Sequence, residues 1–142
     1  MKSLSATSPV SRVPAASSHL ALAHFEARLT FEADCWDTHA SMRENNMDFV
    51  LIDARSPSMY ADSHIPGAIN LPHGKMIKRR MDNWPMDTLF VVYCAGPHCN
   101  GANKAAIRLA ALGRPVKELI GGMTGWADEG FDFTSGTKPG SE

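Results

Sequence analysis

Neither sign of charge dominates this chain. Its 14 Lys and Arg against 15 Asp and Glu leave a formal net charge of −1 over 142 residues, so no basic excess points to nucleic acid and no acidic tail points to a solvating role. No apolar run approaches the length of a membrane-spanning helix. Residues 3–18 are broken by Pro9, Arg12 and Pro14 and hold no continuous apolar core, which argues against a secretory leader. Cysteine is sparse and odd in number, with Cys35, Cys94 and Cys99 alone. That excludes a disulfide framework and predicts a reducing, cytoplasmic setting. No internal repeat is found. What remains is an ordinary globular composition, 44% hydrophobic and 20% charged, with length for one domain and its own core.

One stretch organises the rest. Residues 89–93 are apolar and β-branched, ending abruptly at Cys94, and from Asn100 onward Ala, Lys, Ile, Arg and Leu suit a helix. This reads as strand, loop, helix, with a thiol at the strand's C-terminal end, where ligands bind in open α/β sheets. The positive end of the following helix favours the thiolate, and Gly96 and Gly101 let the loop fold tightly. The stretch reads as a cradle for an anionic sulfur or an anionic substrate.

Around it the chain alternates. Residues 1–17 are a Ser-, Ala- and Pro-rich arm. Residues 18–29, with Leu20, Leu22, Phe25 and Leu29 near helical spacing, predict an edge-packing helix that ends before Thr30. A short strand is expected over 29–33, and a helix capped by Asp34 over 35–45. The apolar run 49–53 predicts a strand buried on both faces, delivering Asp53 and Arg55 to the same edge as Cys94. Ser56-Pro57 opens a short helix to Asp62. A turn at His64-Ile-Pro-Gly67, a strand over 68–71 and a basic helix over 75–82 follow. Beyond the loop come a helix over 102–112 that offers Ile107, Leu109 and Leu112 for burial, a strand over 116–120 and a helix over 124–129. The alternation predicts an α/β sandwich around a mostly parallel sheet, with an arm and helix over 1–28, the domain over 29–133 and a tail over 134–142.

Three separated stretches carry a family resemblance. Tyr60-Ala-Asp-Ser-His-Ile-Pro-Gly-Ala-Ile-Asn-Leu71 resembles the first motif of the rhodanese-like superfamily. Val92-Tyr-Cys94 with its glycine-containing loop resembles the active-site segment, and Leu119-Ile-Gly-Gly-Met-Thr-Gly-Trp126 is similar to the closing motif. The resemblance implies a three-layer α/β/α domain with a five-stranded sheet, and a sulfurtransferase whose Cys94 takes a sulfane sulfur from a donor and hands it to a thiophilic acceptor. It implies no metal or organic cofactor. The partners implied are a small sulfur donor and a thiol or cyanide-like acceptor, or a protein acceptor, with no nucleic acid or membrane and a monomer or homodimer as the working unit.

Cys94 is then the nucleophile, and Ala95, Gly96, Pro97, His98, Cys99, Asn100 and Gly101 surround the sulfur. Lys104 and His98 supply positive potential, and Asp53 and Arg55 form a supporting ion pair. The loop departs from the commonest family pattern in being longer and in lacking Arg and Lys, and Pro97 offers no N–H. A dianion such as thiosulfate finds little charge there. The longer loop also resembles the superfamily's phosphatase branch, but Asn100 stands at that branch's arginine position and cannot clamp a phosphoryl group. Phosphatase and arsenate reductase activities are therefore disfavoured. Cys99 is either an incidental loop residue or a second thiol able to attack a Cys94 persulfide or sulfenic acid and close an intraloop disulfide. The alternative to a transferase is a non-catalytic or redox-sensing module in which the loop's two cysteines report oxidants to a partner protein. Cys35 reads as packing only.

Overall fold

In a computed structural model, residues 7–141 are described; residues 1–6 of the expected arm and Glu142 lie outside them. The chain divides after Thr30 into two compact units. In the first, a turn is closed by the Arg12 N–H on the Ser8 carbonyl at 2.9 Å. The helix α1 (Ser18–Phe31) follows, and none of its side chains is buried. It runs through Thr30, where a stop was expected, because the Thr30 hydroxyl donates to the Ala27 carbonyl at 2.6 Å and so satisfies itself within the helix. The first strand, expected over 29–33, consequently shrinks to β1 (Glu32–Ala33).

The second unit is built on five strands: β1, β2 (Val50–Asp53), β3 (Ile69–Asn70), β4 (Phe90–Tyr93) and β5 (Val116–Leu119). Their order is β1-β5-β4-β2-β3, and every pairing is parallel. The apolar strand β4, buried along its whole length, is central in the order, where a strand is covered on both faces. Alternation along β2 and β4 splits the interior in two. Ile52, Phe90 and Val92 face Met76, Met81, Ala102, Ala105 and Leu109, whereas Leu51, Val91 and Tyr93 face Cys35, Tyr60 and Trp126. Helices α4 (Lys78–Met81) and α5 (Gly101–Ala111) thus cover one face. Helices α2 (Cys35–Arg43), α3 (Pro57–Asp62) and α6 (Gly122–Asp128) supply the other, giving three layers.

Local chemistry sets the ends. The Asp34 carboxylate caps α2 by accepting from the Asp37 N–H at 2.7 Å, and Asn45, at φ +52°, turns the chain out beyond that helix's C-terminus. Two expectations are corrected. The basic helix over 75–82 is broken into a 3₁₀ turn at His73–Lys75 and the single turn α4, because burying Met76 bends the chain between them. Helix α5 buries Ala102, Ala105 and Leu109, and Ile107 is 61% exposed. Arg114 is buried and donates to the carbonyls of Met81, Trp84 and Pro85 at 2.7, 3.0 and 2.6 Å, holding this segment in place.

The stretch after Phe133 is tied to the motif around His64. Thr134 and His64 exchange backbone hydrogen bonds at 2.8 and 2.9 Å, and the His64 ring, fully buried, stacks on Tyr60 with Nε2 3.0 Å from the Pro139 carbonyl. Among the described residues no helix is long and apolar enough to cross a membrane.

Candidate active site

The C-terminal end of β4 delivers Cys94 into a loop that closes on the first residue of α5. Cys94 is 6% exposed and belongs to the core on the α5 side of the sheet. Its sulfur is joined to that of Cys99 in a disulfide spanning 6.4 Å between Cα atoms. The odd cysteine count predicted no disulfide framework; the bond found is a single cross-loop link, and the remaining thiol, Cys35, is buried and free. Burial pushes the Cys35 thiol up to about 11, with the Asp34 and Glu129 carboxylates adding to it, so Cys35 stays protonated and inert.

The loop is shaped from both ends. The Cys99 N–H donates to the Gly96 carbonyl at 3.0 Å, and the Gly101 N–H, at the first position of α5, points at Cys99 Sγ at 3.5 Å. The Asn100 side chain makes no capping bond, which leaves the helix's first-turn amides open toward the loop. A Cβ on Gly101 would lie 2.8 Å from Cys94 Sγ, so only glycine lets the helix start this close to the sulfur. Helix α6 docks from the other side. The Met123 N–H donates to the Cys94 carbonyl at 3.1 Å, and Thr124 gives both its N–H and its hydroxyl to the Ala95 carbonyl, at 3.0 and 3.1 Å.

A cavity of about 270 Å³ opens here, lined by Cys94, Gly96, Pro97, Cys99 and Ala102 on one side and by Gly121 and Gly122 on the other. Glu32 and Glu118 also line it. They are register partners on β1 and β5, so their carboxylates stand side by side on one face of the sheet. Burial raises the Glu118 carboxyl above the usual glutamate range, and the neighbouring Glu32 charge raises it further.

The expected site residues are thus only partly gathered. Cys94, Gly96, Pro97 and Cys99 share the cavity; Ala95 is half-buried behind it, and His98 and Asn100 are exposed on the loop. Lys104 lines a different groove, with Met76, Ile77, Ile107 and Arg108. Asp53 and Arg55 do pair, Arg55 Nη2 lying 2.7 Å from Asp53 Oδ2 and 2.6 Å from the Ser63 carbonyl. They brace the strand edge through Asn70, whose amide donates to the carbonyls of both residues, and they do not line the cavity. Beside Asp53, burial pushes the Tyr93 phenol well above its ordinary value. Sequence reasoning missed Glu32 and Glu118. Glu118 was open to detection, since in the strand 116–120 it alternates with the buried Leu119; Glu32 already lay in the strand expected over 29–33, but nothing in the sequence paired that strand with 116–120.

The rhodanese-like domain model matches residues 37–129. An HTH-type transcriptional regulator of Mycobacterium tuberculosis is 34% identical over 93 residues, which are 66% of this chain and 41% of that protein, so the chain spans less than half of this relative. A sulfurtransferase of Allochromatium vinosum is 35% identical over 88 residues, 62% of this chain and 80% of its own length. Among solved structures, the BH2092 protein from Bacillus halodurans superposes with a TM-score of 0.80 at 34% identity, covering 85% of this chain and 88% of that one. The matched span holds the His64 turn, the loop from Cys94 to Cys99 and the glycines of α6 that close over it, and on that ground the chain belongs to the rhodanese-like domain family.

Proposed function

We propose that the chain is a sulfurtransferase that works through a persulfide on Cys94, in a reducing, cytoplasmic setting. The observation that carries this reading is the position of Cys94, at the end of the central strand, in a cavity at the open N-terminus of α5. The active form is the dithiol, since a sulfur held in the disulfide is no nucleophile. The Cys94 thiolate attacks the sulfane sulfur of a donor, and the donor's remainder leaves with the electron pair of the broken bond. The acceptor then attacks the outer sulfur, and the Cys94 thiolate returns. The persulfide is anionic near neutral pH, and the first-turn amides of α5 favour it. Glu32 and Glu118 on the facing wall disfavour a dianionic donor, so a neutral or singly charged sulfane donor suits the cavity better than thiosulfate. The sulfurtransferase named among the relatives supports the same reading.

A second reading rests on the disulfide itself: a sensor module in which Cys94 and Cys99 report oxidants to a partner protein. One assay separates the two. Reduced protein is given thiosulfate, 3-mercaptopyruvate or polysulfide with cyanide as acceptor, and thiocyanate is measured. Wild type and Cys99→Ser are expected to form it and Cys94→Ser is not. No thiocyanate from any donor, with oxidant sensitivity that needs both cysteines, would leave the sensor reading in place of the transferase.

A further inference from the structure

The transfer chemistry above makes no use of Cys99, yet three features of the site converge on it. Its sulfur reaches that of Cys94 across the loop. The Gly101 N–H, the first amide of α5, donates to Cys99 Sγ at 3.5 Å. The missing side chain at Gly101 is what lets the two sulfurs meet, since a Cβ there would stand 2.8 Å from Cys94 Sγ and 3.5 Å from Cys99 Sγ. An amide at the positive end of a helix lowers the cost of a thiolate. That amide therefore favours the thiolate form of Cys99, which sits beside the sulfur that carries the cargo.

Building on the persulfide reading, we propose that Cys99 is a resolving thiol that discharges the Cys94 persulfide as hydrosulfide, so that the protein releases sulfide from sulfane donors when no acceptor takes the sulfur. In the step, the Cys99 thiolate attacks Cys94 Sγ and forms the cross-loop disulfide. The bond between Cys94 Sγ and the outer sulfur breaks, and its electron pair leaves with the outer sulfur, which takes up the proton that the Cys99 thiol gave up and departs as HS⁻. The two cysteines are oxidised together by two electrons, and the sulfane sulfur is reduced by two. Hydrosulfide is a weaker base than an alkyl thiolate, hence a good leaving group. The cavity that both cysteines line gives it an exit. A dithiol reductant resets the pair for another round. The disulfide in this structure is then the product state of the discharge, and a fast external acceptor competes with it.

The test uses the full chain, reduced with dithiothreitol, desalted under argon, loaded briefly with glutathione persulfide and desalted again. Free sulfide is trapped with monobromobimane while intact mass is followed. Wild type is expected to release about one sulfide per chain and to finish two hydrogens lighter than its dithiol form, as a thiolate–persulfide exchange requires. Cys99→Ser is expected to keep the extra sulfur and to release at least tenfold less sulfide until dithiothreitol is added. If wild type holds the added sulfur as long as Cys99→Ser does, or carries it on Cys99 without releasing sulfide, the resolving role is wrong while the Cys94 persulfide stands. If neither protein gains sulfur, the persulfide reading falls, and this one with it.

Discussion

At Glu118 a carboxylate stands in the cavity beside Cys94, where the proposed sulfur transfer would gain from a cation. Burial and the register partner Glu32 both raise its proton affinity, so the Glu118 carboxyl turns neutral at a higher pH than an ordinary glutamate does. The sign is fixed: the folded chain binds this proton more tightly than the unfolded one, so Glu118 costs stability as pH rises through the window between its ordinary and its raised value, and that cost persists above the window. Glu118→Gln is expected to be modestly more stable than wild type at neutral pH and no more stable below the ordinary glutamate range. It should also use thiosulfate a few-fold faster at neutral pH, with neutral donors unaffected. Urea unfolding at several pH values and thiocyanate formation with two donors check both halves. An unchanged donor preference would remove Glu118 from the selectivity of the site.

Helix α6 presses closely on the loop at Gly122. Gly122 sits at φ +52°, and a Cβ there would lie 2.2 Å from the Cys94 carbonyl oxygen. Gly130 also has a positive φ, +77°, but a Cβ there would meet nothing within 4 Å. Gly130→Ala is therefore expected to cost about 1 kcal/mol of backbone strain alone. Gly122→Ala should add a displaced carbonyl and a lost dock, about 2–4 kcal/mol in all, and should slow persulfide formation on Cys94. Equal losses in urea titrations of the two variants would mean that the approach of α6 to the loop is not tight. This contact was legible beforehand only as a motif: paired glycines before Trp126 signalled a closing segment, but not that one of them presses on the carbonyl of Cys94. Strands β2 and β4 were readable because runs of apolar residues have few other uses at that length. The end of α1 was not, since a Thr that bonds its own helix looks like any other β-branched stop. The break in the basic helix was decided by Met76, whose burial depends on a partner surface far away in sequence. Likewise, the spacing of Cys94 and Cys99 permitted a bond without requiring it, and Lys104 looked close to the cysteine along the chain while its helix turns it into another groove.

On the scale of the whole molecule, the unit from Phe31 onward is closed by its own end. Residues after Phe133 return to the His64 motif, where backbone bonds join Thr134 to His64 in both directions, Gly136 to Ala61 and Gly67 to Pro139, at 2.8–2.9 Å. The Pro139 carbonyl also faces Nε2 of the buried His64 ring. Backbone hydrogen bonds of this kind contribute about 1 kcal/mol each, and a buried donor left without a partner costs more. A chain ended at Phe133 is therefore expected to lose about 4 kcal/mol, a substantial share of the about 5–15 kcal/mol that a domain has in reserve. None of these residues lines the cavity at Cys94, so the loss should fall on stability and not on chemistry. The shortened protein should unfold at a clearly lower urea concentration, yet at low temperature, where it stays folded, it should load Cys94 with sulfur to the same extent as the full chain. A shortened chain as stable as the full one would make the closing segment ornamental. One that stays folded but loses loading would mean that the His64 motif and the cysteine loop are coupled through the sheet between them, by way of Tyr93, whose phenol oxygen accepts the Ile65 N–H at 3.1 Å immediately before Cys94 in the chain.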